Sequence, residues 1–264
     1  MTQALDFMIP DYDWIMFGIS VILLTLLGFI SYTKKVLDLR GSALAVVVGL
    51  IIIGYSDFFW FLLILFFFAI TYIVTKWKYN EKEDLGLSEG KIGERGFRNV
   101  LANGIIPVSI AFLSGPLNDI SEGLAGFLFV VSIAIAASDT FGSEVGVISK
   151  KPRLITRPRM VVQPGVDGGV SVLGTSAAFF GSLLISVAGY FLVTDFFLAS
   201  PPHYNTSNLW IVLIPTLLGW LGCQVDSILG ATLQRRGMLT NNLVNFITIL
   251  ACIIVIASLF VIIS

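Results

Sequence analysis

The sequence predicts an all-α, polytopic integral membrane protein of about eight transmembrane helices, with both termini on the outer side of the bilayer. Three observations predict it. First, apolar residues make up 56% of the 264-residue chain and charged residues only 12%, with a mean hydropathy of +0.91. Soluble domains sit nearer about 45–50% and about 25%, and a water-soluble fold of this length has no interior large enough to hide the excess. Second, apolar runs recur along the chain at lengths that suit helical spans, which need about 20 residues. Third, the basic residues fall only in alternate connections between those runs.

The apolar runs cover about 14–33, 41–56, 57–75, 99–114, 120–138, 170–194, 208–231 and 243–263. The first, third, sixth and last are strong spans. The second and fourth are short, and the fourth contains Pro107. Bilayer thinning or packing within a bundle can accommodate a short span, and a re-entrant pair is the rival reading for either. Trp14, Trp60, Trp77 and Trp210 stand near span ends, where an amphipathic ring prefers the interface. Cys223 and Cys252 lie in apolar runs and read as small core residues. The single histidine, His203, falls in a polar loop. The whole chain, 1–264, reads as one membrane domain.

Charge sets the topology. Lys34, Lys35 and Arg40 lie in the first connection, and Lys76, Lys78, Lys82, Lys91, Arg95 and Arg98 in the third. Lys150, Lys151, Arg153, Arg157 and Arg159 lie in the fifth, and Arg235 and Arg236 in the seventh. Together these are all 16 Lys and Arg of the chain. By the positive-inside rule the odd-numbered connections face the cytoplasm. A net charge of −1 leaves no footprint for nucleic acid.

Ionisable groups inside spans are costly in lipid and mark functional sites. Four polar clusters stand out, all at the cytoplasmic ends of spans. Arg95, Asn99 and Asn103 share one helical face at i, i+4, i+8. Asp139 and Glu144 flank a glycine-bearing turn and could share a divalent cation; Mg²⁺ is usually held by one or two carboxylates together with substrate phosphates. The basic run from Lys150 through Arg153 leads into a Gly-rich turn, Gly165–Ser171, that opens the next span. Free N–H groups at a helix start suit phosphate. No Walker A motif occurs. Finally Gly222, Asp226, Gly230 and Gln234 form a stripe, with Asn241, Asn242 and Asn245 following. An acid within a glycine stripe faces the bundle and not lipid. Residues 95–245 are therefore the active half. Carboxylates and cations gathered at one interface are the equipment of phosphoryl transfer, and the substrate implied has a polar head at the interface and a tail in the bilayer.

The stretches Arg98–Gly104, Ser138–Gly146, Pro152–Thr156, Gly165–Ser171 and Asp226–Gln234, with Asn241 and Asn242 after them, resemble the integral membrane phytyl-phosphate kinase family, which includes transmembrane protein nineteen. They follow the family's order from Arg98 onward, while the first three spans carry little of the likeness. One departure is Asp167, where the resemblance leads one to expect Asn. The resemblance implies a kinase that transfers the γ-phosphate of CTP to a prenyl (phytyl or geranylgeranyl) monophosphate and requires Mg²⁺. On that likeness Asp139, Glu144 and Asp226 serve metal and catalysis. Arg98, Asn99, Asn103, Lys150, Arg153, Thr156, Gly165, Asp167, Gly168, Gly169, Ser171, Gln234, Asn241 and Asn242 serve nucleotide and phosphate. The partners are a prenyl phosphate, CTP and membrane lipid, and the site faces the cytoplasm from the cell membrane. The rivals are a CTP-dependent lipid cytidylyltransferase, a prenyl alcohol kinase, and a transporter of lipid or anion.

The topology is directly testable. Single cysteines at Asp119 and Lys151 are expected to label from opposite sides of the membrane, and labelling from the same side would overturn the assignment.

Overall fold

A computed structural model describes residues 14–88, 90, 93–193 and 209–263. The sixth connection with His203, the N-terminal segment and Lys91 lie outside the described residues, so the topology expected of them is not addressed.

Each apolar run forms a helix. α1 is Trp14–Thr33, α2 Leu39–Tyr55 and α3 Phe58–Lys76, followed by the short α4, Tyr79–Asp84. α5 is Phe97–Phe112, α6 Ser114–Ile120 and α7 Leu124–Gly146. α8 is Val172–Leu192, α9 Leu209–Leu229 and α10 Asn241–Ile263. Short polar side chains set several starts by accepting the first unpaired N–H groups. Asp38 Oδ1 accepts from Gly41 N at 2.6 Å, Asp57 Oδ1 from Phe59 N at 2.7 Å, and Ser171 Oγ from Gly174 N at 3.0 Å.

Length separates helices from spans. Five helices among the described residues are long and apolar enough to cross a membrane: α3, α7, α8, α9 and α10. The pair α5 and α6, bent by 64°, makes a sixth when counted as one broken span. Phe17–Thr33 and Leu39–Tyr55 belong to a shorter class. At 1.5 Å per residue, the 17 residues of α2 reach about 26 Å, short of a hydrocarbon core of about 30 Å. The structure is thus a mostly helical membrane protein with five to six candidate spans, fewer than the eight read from hydropathy.

Two further differences matter for the site. The sequence suggests a turn between Asp139 and Glu144, but α7 continues through both to Gly146. The basic fifth connection is not irregular. It folds into a small antiparallel sheet of β1 (Arg153–Leu154), β2 (Arg157–Val161) and β3 (Gly169–Val170), in the order β2-β1-β3. Ile155 and Thr156 form the hairpin turn, and Leu154 pairs with Arg157.

α7 is the axis of the bundle. Its membrane window is 89% buried, against 28–44% for the other four single spans. α8, α9, α5, α10 and α3 all pack on it. Such enclosure needs backbones that approach closely, which in lipid is the work of small residues. A β-carbon on Gly174 of α8 would lie 2.9 Å from Gly142 O and 3.0 Å from Gly146 Cα. One on Gly219 of α9 would lie 2.8 Å from Ala134 Cβ and would also run into Ser182 Oγ. The acids stay on a continuous α7 because this packing outweighs the low helix propensity of Gly142 and Gly146.

Gly219→Val is therefore expected to lower stability by about 1–3 kcal/mol through overpacking, whereas Gly104→Ala, with nothing within 4 Å of the added carbon, should be neutral or mildly stabilising. Thermal unfolding of both variants in detergent checks this. Equal midpoints would refute the close-packing account.

Candidate functional site

The C-terminal ends of α7 and α9 and the N-terminal ends of α8 and α10 come together at one end of the bundle. They enclose a cavity of about 280 Å³ whose outer wall is the turn between β2 and β3. Asp139, Glu144, Gly165, Asp167, Gly168, Gly169, Ser171, Asp226, Gln234 and Asn241 all line it. Three of the four polar clusters read from sequence thus converge on one cleft.

Asp139 and Asp226 lie at its floor. Their carboxyl groups adjoin across the α7–α9 contact. Each is oriented from α10: Asn245 Nδ2 donates to Asp139 Oδ2 at 3.1 Å, and Thr248 Oγ1 donates to Asp226 Oδ1 at 3.2 Å. Asn245 and Thr248 are three apart and share a helical face, and both are buried.

Glu144 has a different setting. Its Oε2 accepts from Lys82 Nζ at 2.6 Å and its Oε1 from Thr75 Oγ1 at 2.8 Å. Lys82 is fully buried and also donates to Thr75 O at 2.7 Å. Arg95 completes the network by donating to Thr75 Oγ1 at 3.0 Å. The Arg95 backbone bridges to the first connection, accepting from Asp38 N at 3.1 Å and donating to Val36 O at 3.0 Å. Both Glu144 oxygens are thus engaged by the α3–α5 segment. Among the described residues no three His, Cys, Asp or Glu side chains converge as a metal cage. The pair Asp139 and Asp226 is what is assembled, with Glu144 held apart by its lysine.

The hairpin turn closes the cleft. Gly168 has φ +71°, and a β-carbon there would lie 2.6 Å from Ala231 N. Both the left-handed backbone and the contact require glycine. The surface it meets is a single π-helical turn, Gly230–Gln234, that ends α9. Gln234 Nε2 donates to Asp167 Oδ1 at 2.8 Å. Burial pushes the Asp167 carboxyl above its ordinary range, and Arg235 nearby pulls it partway back.

The remaining expected residues stand elsewhere. Lys150, Arg153 and Thr156 are exposed on the hairpin, with Arg153 Nη1 donating to Pro158 O at 3.2 Å. Arg98 is exposed at the start of α5. Asn103 is buried and donates to Asn99 O at 3.0 Å, beside a separate small apolar cavity. Asn242 does not line the cleft, although its neighbour Asn241 does. Conversely, Thr75, Lys82, Gln224, Ser227 and Thr248 join the site or its surroundings without belonging to any of the four sequence clusters. Thr248 carried a usable signal, a hydroxyl three residues after Asn245 in an otherwise apolar run. Lys82 carried none, since Glu81-Lys82-Glu83-Asp84 reads as a solvated stretch.

A helical integral membrane protein with a carboxylate-floored, glycine-walled cleft at one end of its bundle is the class that these features define. The model of the family described as integral membrane protein DUF92 matches residues 22–253, and the chain belongs to that family. It is 34% identical over 230 residues to a membrane protein of Methanocaldococcus jannaschii, covering 87% of this chain and 88% of that one. It is 31% identical to Protein PGR of Arabidopsis thaliana, over 83% of this chain and 79% of the relative. It is also 31% identical to the chloroplastic Protein VTE6 of the same plant, over 72% and 55%. No solved structure matches.

The ion pair makes a measurable prediction. Lys82→Met leaves Glu144 buried without its cation and is expected to cost about 3–5 kcal/mol. The double variant Lys82→Met/Glu144→Gln should recover much of that loss. Unfolding midpoints in detergent decide it, and a double variant no more stable than the single one would show that the pair is not what holds this segment.

Proposed function

We propose that this chain is a CTP-dependent prenyl-phosphate kinase whose active site is the cleft at the cytoplasmic interface. The observation that carries the reading is the adjoining pair Asp139 and Asp226 at the floor of a cleft that, among the described residues, no lysine or arginine lines. Two carboxylates so close repel when both are ionised, and a divalent cation relieves that repulsion. The donor set suits Mg²⁺, which takes one or two carboxylates and completes its shell with phosphate oxygens and water. When bound there, the ion would neutralise charge on the phosphates of the nucleotide and the lipid.

The chain's own groups supply orientation. Asn245 and Thr248 each hold one oxygen of an aspartate, and both aspartates line the cleft. The Gly165–Gly169 turn lets backbone come close to a bound nucleotide. In the reaction a phosphate oxygen of the prenyl monophosphate attacks the γ-phosphorus of CTP, the bond from that phosphorus to the β-bridging oxygen breaks, and CDP leaves. The acceptor is already an anion near neutral pH, so no strong base is needed. The chain's one histidine, His203, lies in a connection outside the described residues. The resemblance to the phytyl-phosphate kinase family supports the same reading. The alternation of basic connections supports eight membrane crossings within this proposal, with α1 and α2 spanning a locally thinned or protein-lined region, both termini outside, and the basic connections in the cytoplasm.

Purified protein given geranylgeranyl or phytyl monophosphate, CTP and Mg²⁺ is expected to yield the diphosphate and CDP, and to leave the free alcohol unchanged. Asp139→Asn and Asp226→Asn should each lower turnover at least about 100-fold while keeping the unfolding midpoint, and EDTA should abolish activity. Efficient phosphorylation of the alcohol, a CDP-lipid product with pyrophosphate, or activity that survives EDTA would each overturn the proposal.

A further inference from the structure

The cleft has a second polar feature that phosphoryl transfer does not use. Asp167 on the hairpin turn and Gln234 on the π turn meet across it, joined at 2.8 Å from Nε2 to Oδ1. Both line the cavity and both are half-buried. An ionised carboxylate only accepts hydrogen bonds, whereas an amide can present either its oxygen or its NH₂. Asp167 therefore fixes Gln234 with its NH₂ turned to the carboxylate. What the pair then offers a ligand is the second carboxylate oxygen of Asp167 beside the second N–H of Gln234, an acceptor next to a donor. Arg235 in the same stretch favours the ionised carboxylate against its partial burial. Leu87, Val147, Pro152 and Val166 add apolar walls to the same cavity.

We infer that Asp167 and Gln234 read the edge of the nucleotide base, and that they select a base carrying an exocyclic amino group beside an unprotonated ring nitrogen. Cytosine and adenine present that pattern. Held in the same orientation, with the ribose and phosphates in place, uracil puts O4 and N3–H there and guanine O6 and N1–H, which sets acceptor against acceptor and donor against donor. The inference rests on the kinase reading and names the nucleotide specificity of that same site. It also gives the departure at position 167 a consequence. An asparagine there presents either end of its amide and leaves Gln234 free to turn over, so both base patterns would be accepted. A site that leaves its hydrogen-bonding groups unpaired against the wrong ligand discriminates strongly. The partial exposure of this pair points to a ratio of at least about tenfold.

The test compares CTP, ATP, UTP and GTP as donors to geranylgeranyl monophosphate, and measures binding of the four nucleoside diphosphates to the detergent-solubilised protein by calorimetry. The wild type is expected to favour CTP or ATP over UTP and GTP by at least about tenfold in kcat/KM, with diphosphate affinities in the same order. In Asp167→Asn the ratio of CTP to UTP should fall to within about threefold, chiefly through a gain in UTP use. In Gln234→Met it should fall through a loss of CTP use. Unfolding midpoints show that each variant is folded, and either variant suffices if the other is not. A folded variant that keeps the wild-type ratio overturns the base-reading role alone, as does a wild type that prefers UTP or GTP. A wild type that uses no nucleotide and binds no diphosphate overturns the kinase reading and this inference with it.

Discussion

The enclosure of α7 is the constraint on which the cleft depends. In lipid there is no hydrophobic gain from bringing helices together, so close contact must come from shape. Gly174 of α8 and Gly219 of α9 supply it by letting two backbones reach α7 where any side chain would collide. Because α7 is surrounded by protein, its last turns can carry Asp139 and Glu144 without exposing them to hydrocarbon. The position of the acids is thus decided partly by glycines on other helices.

Two of the buried carboxylates on this end are handled in opposite ways. Glu144 is given a resident cation, Lys82, and a hydroxyl from Thr75, so its charge is settled within the protein. The Lys82–Glu144 contact also draws the α3–α5 segment down onto α7, and Leu87, a few residues on, packs against Gly165 of the hairpin turn. Asp139 receives an amide and Asp226 a hydroxyl from α10, and among the described residues no lysine or arginine lines their cleft. A lysine-paired glutamate and a pair of adjoining aspartates thus stand side by side at this end of the bundle.

Much of this was legible in the sequence. Hydropathy located every long helix, and the glycine stripes around Gly142 and Gly222 marked faces that turn toward protein. The convergence of Asp139, Asp226 and the Gly165–Ser171 turn followed from placing all polar clusters at one end of the spans. Other features were set by contacts that no local pattern encodes. Hydropathy drops near Ser138 and by itself ends α7 there, yet packing against Gly174 carries the helix to Gly146. The basic fifth connection reads as an irregular loop, and only its pairing with Gly169–Val170 makes it a sheet that holds Lys150 and Arg153 away from the cleft. Lys82 sits among acids in sequence and looks solvated; its burial arises from a contact 62 residues distant. Length enters the span count beside hydropathy: α2 is helical along its whole run, yet its 17 residues reach only about 26 Å, so five to six helices among the described residues qualify as candidate spans.

The π turn at the end of α9 bears on how this region can vary. In a regular α-helix every fourth residue drifts about 40° around the axis, so a stripe at Asp226, Gly230 and Gln234 would wander off its face. The wider turn at Gly230–Gln234 slows that drift and keeps Gln234 over the cleft, against Asp167. Deleting a single residue here would restore an ordinary helix and rotate everything beyond it out of phase, including the approach to α10 and its Asn245. Spacing between Asp226 and Asn245 is therefore held more tightly than the identity of most side chains between them, and substitutions there are tolerable where insertions or deletions are not.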